Sequence, residues 1–172
     1  MKKLVLVLAI VFAGMMTANA QVWIGGGLGA QVEKNHMAFN VAPEIGYAIN
    51  DQWQLALGVD YRFNQYKAEA LGATVTNTTN LLFLQPYVRY VGGTIGHKFS
   101  LFVDLCGDIA LLDAGNAYAV TLQPGIAWQA TDQFTAAFRF AKIGYDHGIY
   151  GTDGFLMQGA LVAPEIRIYY NF

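Results

Sequence analysis

Hydrophobic and polar residues alternate one by one along almost the whole chain beyond residue 20. This is the signature of strands whose two faces meet different surroundings. The pattern is plainest where Trp53, Leu55, Leu57, Val59, Tyr61 and Phe63 interleave with Gln54, Ala56, Gly58, Asp60, Arg62 and Asn64. It recurs where Leu82, Leu84, Pro86, Val88 and Tyr90 oppose Phe83, Gln85, Tyr87 and Arg89. Further stretches of the same kind run over 22–29, 39–50, 101–108, 118–129, 134–141 and 162–172, so the pattern predicts eight strands.

A repeat of hairpin length supports that count. The chain has four prolines, and each sits in a similar setting: Val41-Ala-Pro-Glu-Ile, Leu84-Gln-Pro-Tyr-Val, Leu122-Gln-Pro-Gly-Ile and Val162-Ala-Pro-Glu-Ile. Each marks an even-numbered strand. Because proline cannot donate to a ladder, a bulge or local distortion is expected at each one. Short turns are predicted near Asn50-Asp51, Gly92-Gly93 and Thr131-Asp132, with a brief connection near 113–116. Longer polar loops are predicted at about 31–38, 65–79 and 145–155.

Composition decides what kind of sheet this is. The chain is 55% hydrophobic and only 13% charged, about half the charged share usual for a soluble domain. Residues 1–20 have the parts of a secretory signal: Lys2 and Lys3, an apolar run from Leu4 to Met16, and Ala18-Asn19-Ala20 as the cleavage pattern. That run is shorter than the roughly 20 apolar residues a spanning helix needs. No later window is apolar enough either. An exported, apolar chain without spanning helices points to the other membrane solution, a closed barrel at 21–172. A net charge of −2 with no basic stripe argues against a nucleic-acid partner. The single Cys106 cannot form an intramolecular disulfide.

A soluble barrel would turn its large apolar face inward. Here the opposite face is mostly Gly, Ala, Gln and Asn, a poor covering for water but a good filling for a narrow lumen. The mid-strand charges share one parity: Glu44, Asp60, Arg62, Arg89, Asp104, Asp108, Arg139, Glu165 and Arg167. An arginine on the lipid face at mid-depth costs about 2–4 kcal/mol. Turning four of them outward would rival a domain's whole stability. Aromatics gather at the strand ends. One predicted girdle holds Tyr47, Trp53, Tyr90, Trp128, Phe134 and Tyr170; the other holds Phe39, Tyr61, Phe63, Tyr118, Phe140 and Phe155.

The hairpin repeat with its Pro-x-Ile/Val core, and the ending Ile166-Arg-Ile-Tyr-Tyr-Asn-Phe172, resemble the small OmpA/OmpX-like outer-membrane β-barrels of the outer membrane protein beta-barrel domain family. The resemblance spans residues 21–172. It implies an eight-stranded antiparallel up-and-down transmembrane barrel in the bacterial outer membrane. It also implies that the barrel-assembly machinery reads Ile168, Tyr170 and Phe172 as an assembly signal. Relatives with a peptidoglycan-binding domain continue past the barrel, so a cell-wall tether is not expected.

The nine inward charges are the candidate site. Five acids and four bases in a lumen wide enough only for side chains or one small ligand suggest a paired plug. A sharper reading is a gate, in which a pair such as Glu44 or Glu165 with Arg89 or Arg139 rearranges. Ser100 beside His97 has the residue types of a nucleophile and its base, but it falls next to a turn and reads as a turn serine. Glu33, His36, Asp146 and His147 sit in predicted loops that closure would bring together; no fixed spacing supports a metal, and none is expected. The threonine- and asparagine-rich stretch within 65–79 would extend a hairpin and offer an edge to an extracellular partner. The resulting expectation is a non-enzymatic barrel without cofactor, in contact with outer-membrane lipid, with a structural or surface-interaction role. A narrow pore for small solutes and a lipid-modifying enzyme are the alternatives.

Overall fold

The computed structural model describes residues 22–33, 36–70, 73–112, 116–151, 153–159 and 165–172. The predicted signal segment, Val162 and Pro164 lie outside them. The ladders run over β1 (Val22–Glu33), β2 (His36–Ala48), β3 (Trp53–Ala70), β4 (Ala73–Ile95), β5 (Phe99–Leu112), β6 (Tyr118–Gln129), β7 (Phe134–Arg139), β8 (Ala141–His147), β9 (Asp153–Gly159) and β10 (Glu165–Asn171). Every pairing is antiparallel, and β1 to β6 pair in sequence order. Segments β7 and β8 are the two halves of one strand, parted at Phe140, and both pair with β6. The other side of that strand meets β9 along β8 and β10 along β7. Pairing of β1 with β10 and of β5 with β6 closes the sheet, giving an eight-stranded antiparallel up-and-down barrel.

Alternation puts the two residue sets where they were expected. Asp104 and Asp108 have no exposure, while Leu105 between them is 49% exposed. Along β4, Phe83, Gln85, Tyr87 and Arg89 are buried inside. Ile168, Leu28, Leu122 and Ile109 stand outside on other strands. The girdles form through cross-strand ring pairs: Trp53 with Tyr90 (centroids 4.9 Å apart) and Phe134 with Tyr170 (5.3 Å) at one end, Phe39 with Phe63 (5.0 Å) and Tyr118 with Tyr145 (6.2 Å) at the other. Glycine makes room where an inner ring lies flat on a neighbouring strand. A Cβ on Gly46 would overlap the Trp23 ring, and one on Gly125 would overlap Phe102.

Two expectations change. Strands occupy much of the predicted polar loops: β1 and β2 pair out to Glu33 and His36, and β3 and β4 pair out to Ala70 and Ala73. The described residues of 65–79 thus form a two-stranded arm, the hairpin extension expected from its threonine content. The loop at 145–155 is likewise confined to the residues between His147 and Asp153.

The prolines obtain a physical account. Pro43, Pro86 and Pro124 each pair with the preceding strand, opposite Gly26, Leu57 and Val103. Toward the following strand the ladder is interrupted at all three. Pairing of β2 with β3 skips from Val41 to Glu44, and that of β4 with β5 skips from Leu84 to Tyr87. Pairing of β6 passes from Leu122 with Ile143 of β8 to Gly125 with Arg139 of β7. The missing N–H thus falls on the seam between hairpins, where a ladder bond is given up. At the third seam Phe140 still donates its N–H to the Pro124 carbonyl (2.8 Å), but the strand breaks there.

Candidate functional site

All nine inward charges lie in the lumen, and one hydrogen-bonded chain joins them. Strand parity aims them at the axis, and the small bore brings opposite walls within side-chain reach. Asp104 of β5 is the hub at the end of the barrel that carries the short turns. Arg89 of β4 grips it with two bonds, Nε to Oδ1 at 2.7 Å and Nη2 to Oδ2 at 2.9 Å. Arg139 of β7 donates to Oδ2 through Nε (2.9 Å) and Nη2 (2.6 Å). Its Nη1 reaches Glu165 of β10 at 3.0 Å. Glu165 also pairs with Arg167, which in turn binds Glu44 of β2 and the carbonyl oxygen of Gln85. These are charge-assisted bonds, the strong class. They are needed here, because an ion taken from water without a partner costs several kcal/mol.

Gln85 carries the chain upward by donating its amide to Asp108. Asp108 accepts the hydroxyl of Tyr150 at 2.8 Å. Tyr150 comes from the connection after β8, not from a strand. Its hydroxyl also accepts from Lys142 Nζ (3.2 Å) and from Arg62 Nη2 (3.4 Å), and Arg62 closes on Asp60 at 2.6 Å. The Arg62 guanidinium lies between two rings, 4.5 Å from the Phe83 centroid and 5.1 Å from that of Tyr150. The connection is turned inward by Asp146, whose buried carboxylate accepts the backbone N–H groups of Ile149 and Tyr150 at 3.0–3.1 Å.

Of the proposed gate pairs, Glu165 with Arg139 is formed. Glu44 pairs with Arg167, and Arg89 with Asp104. Sequence reasoning did not place Lys142, Asp146 or Tyr150 inside the barrel, Asp146 having been expected in a loop. The first two follow from the break at Phe140. Inward residues are odd-numbered before it (Ala137, Arg139) and even-numbered after it (Lys142, Asp146), so the expected inward Ala141 is displaced by its neighbour. A one-residue slip exchanges the faces. Pro124 on the adjacent strand was the available signal.

The other candidates separate. Ser100 is in β5, paired with Thr94 and Ala127, and lines an open cavity of about 190 Å³ at the turn end; His97 lies in the exposed turn before it. Among the described residues no hydrogen bond joins the two. The side chains of Glu33 and His36 lie outside the described residues. Asp146, near the end of β8, is committed to the backbone of the connection that follows, and His147 bonds Asp153 at 2.8 Å. The exposed Asp153 carboxyl is held below its usual range by that bond. Ile168 and Phe172 project outward, and Tyr170 packs edge-on against Phe134 and Phe172.

No protein-family model and no curated protein matches the chain. Solved structures do. The N-terminal β-barrel domain of Pseudomonas aeruginosa OprF is 18% identical with a TM-score of 0.48, covering 90% of this chain and 98% of that one. The Yersinia pestis outer membrane protein Ail is 15% identical at a TM-score of 0.44, covering 89% and 98%. A de novo designed transmembrane β-barrel is 15% identical at 0.43, covering 89% and 94%. The likeness is one of fold, and no activity follows from it.

Proposed function

We propose that this chain is a bacterial outer-membrane β-barrel protein with a structural or surface-interaction role, its lumen closed by the charged network. The observation that carries the reading is the inversion of the two faces. Apolar side chains stand exposed around the barrel, while paired arginines and carboxylates fill its axis. In water such an exterior would be one continuous apolar patch, far beyond the few hundred Å² a soluble monomer tolerates. Against hydrocarbon it is the expected surface, and the closed ladder leaves no backbone edge in the bilayer.

In this reading residues 1–20 direct export, and the barrel-assembly machinery reads Ile168, Tyr170 and Phe172. The polar ends of the hairpins carry any contact with an extracellular partner. The network supports a plug, since among the described residues each of its ions except Asp108, which Gln85 and Tyr150 hold, has a partner of opposite sign, and a conducting path would have to part them. On unheated gels of outer-membrane fractions the protein should migrate differently before and after boiling, as folded barrels do. Reconstituted in planar bilayers it should pass no steady current, and liposomes carrying it should not swell in small sugars. Swelling would instead establish the narrow pore.

A further inference from the structure

The plug does not fill the whole axis. At the turn end the lumen opens into the cavity of about 190 Å³, walled by Trp23, Phe102 and Tyr169 and floored by Arg89. Asp104 is the one carboxylate Arg89 touches among the described residues, and Arg139 donates two further bonds to it. Arg89 thus shares its carboxylate, whereas Arg139 has Glu165 as well. Arg89 spends Nε and Nη2 on Asp104 and Tyr169, while its Nη1 has no hydrogen-bond partner among the described residues. A guanidinium nitrogen left open beside a cavity favours an anion. Trp23, in the same wall, also keeps a buried indole N–H without a partner among the described residues. The amide side chains of Gln54, Gln129 and Asn171 surround the opening, where Asp132 is the one acidic residue.

We propose that this vestibule is a binding site for a small carboxylate, held by Arg89 at the floor and enclosed by the aromatic wall. The volume admits a few heavy atoms and excludes a folded partner. Asp132 at the rim opposes polyanions and suits a ligand carrying one negative charge at its inner end, with or without an ammonium at its outer end. The inference concerns the inner cavity alone and does not rest on the membrane role proposed above.

Acetate is the probe. The folded barrel in detergent micelles, carrying Trp53→Phe and Trp128→Phe, leaves Trp23 as the reporting fluorophore. Acetate at constant ionic strength should change its emission saturably, and an equal concentration of tetramethylammonium chloride should not. Arg89→Gln should weaken the acetate response by about tenfold or more, the loss of one charge-assisted bond. Since that change also disturbs the network, Ala127→Leu supplies the second arm. It fills the vestibule from a wall that carries no charge and should abolish the response while the gel shift on boiling persists. A linear response shared by both salts would overturn the proposal. So would an acetate response left intact in Ala127→Leu.

Discussion

The side chains at the two ends of the lumen are held by different means. At the turn end every charged group projects from a strand, and Asp104, Glu165 and Arg167 each bind partners on other strands. At the loop end the central group is Tyr150, borne on a connection and held by Asp146 near the end of β8. The first network is part of the barrel wall, so it can part only if strands or several ion pairs move. The second can swing away while every ladder stays intact. Rigidity here depends on which backbone carries the side chain, not on how many hydrogen bonds the side chain makes.

The largest expected effect tests the turn end. Asp104→Ala leaves Arg89 and Arg139 buried without their shared carboxylate and should cost about 3–5 kcal/mol, read as a lowered urea midpoint for the whole barrel. A purely local loosening there would erase the contrast between the ends. Asp146→Ala should cost about 1–3 kcal/mol, the penalty for backbone donors that lose their acceptor. It should appear as faster amide exchange at Ile149 and Tyr150, with the exchange of β5 and β6 unchanged. The smallest effect belongs to Tyr150→Phe, which removes the hydroxyl shared by Asp108, Lys142 and Arg62. A loss of about 1 kcal/mol is expected, confined to the same connection by exchange measurements. A global change in either loop-end variant would mean that Tyr150 is as much a part of the wall as Arg89.

This contrast also marks what could be read in advance. Strand parity alone placed Arg89, Asp104, Arg139 and Arg167 inside, because a period of two leaves a strand residue only two directions. It could not name partners, since Glu44 and Arg167 are far apart in sequence and meet through barrel closure. Lys142 and Asp146 escaped because the slip at Phe140 reverses parity without any mark in their own segment. Tyr150 escaped because a connection has no periodicity to read. Aromatic residues at strand ends gave the girdles, and the threonine-rich composition of 65–79 gave an extended hairpin, whereas the polar composition of 31–38 misled, since β1 and β2 pair out to Glu33 and His36.

The prolines bear on how such a barrel yields to force. Ladders within the β1–β2, β3–β4 and β5–β6 hairpins run unbroken, while the seams that follow β2, β4 and β6 each have a gap. A pull on one terminus meets three intact zippers, each followed by a perforation. The chain should therefore leave its surroundings two strands at a time, tearing along lines drawn by a ring with no hydrogen to give.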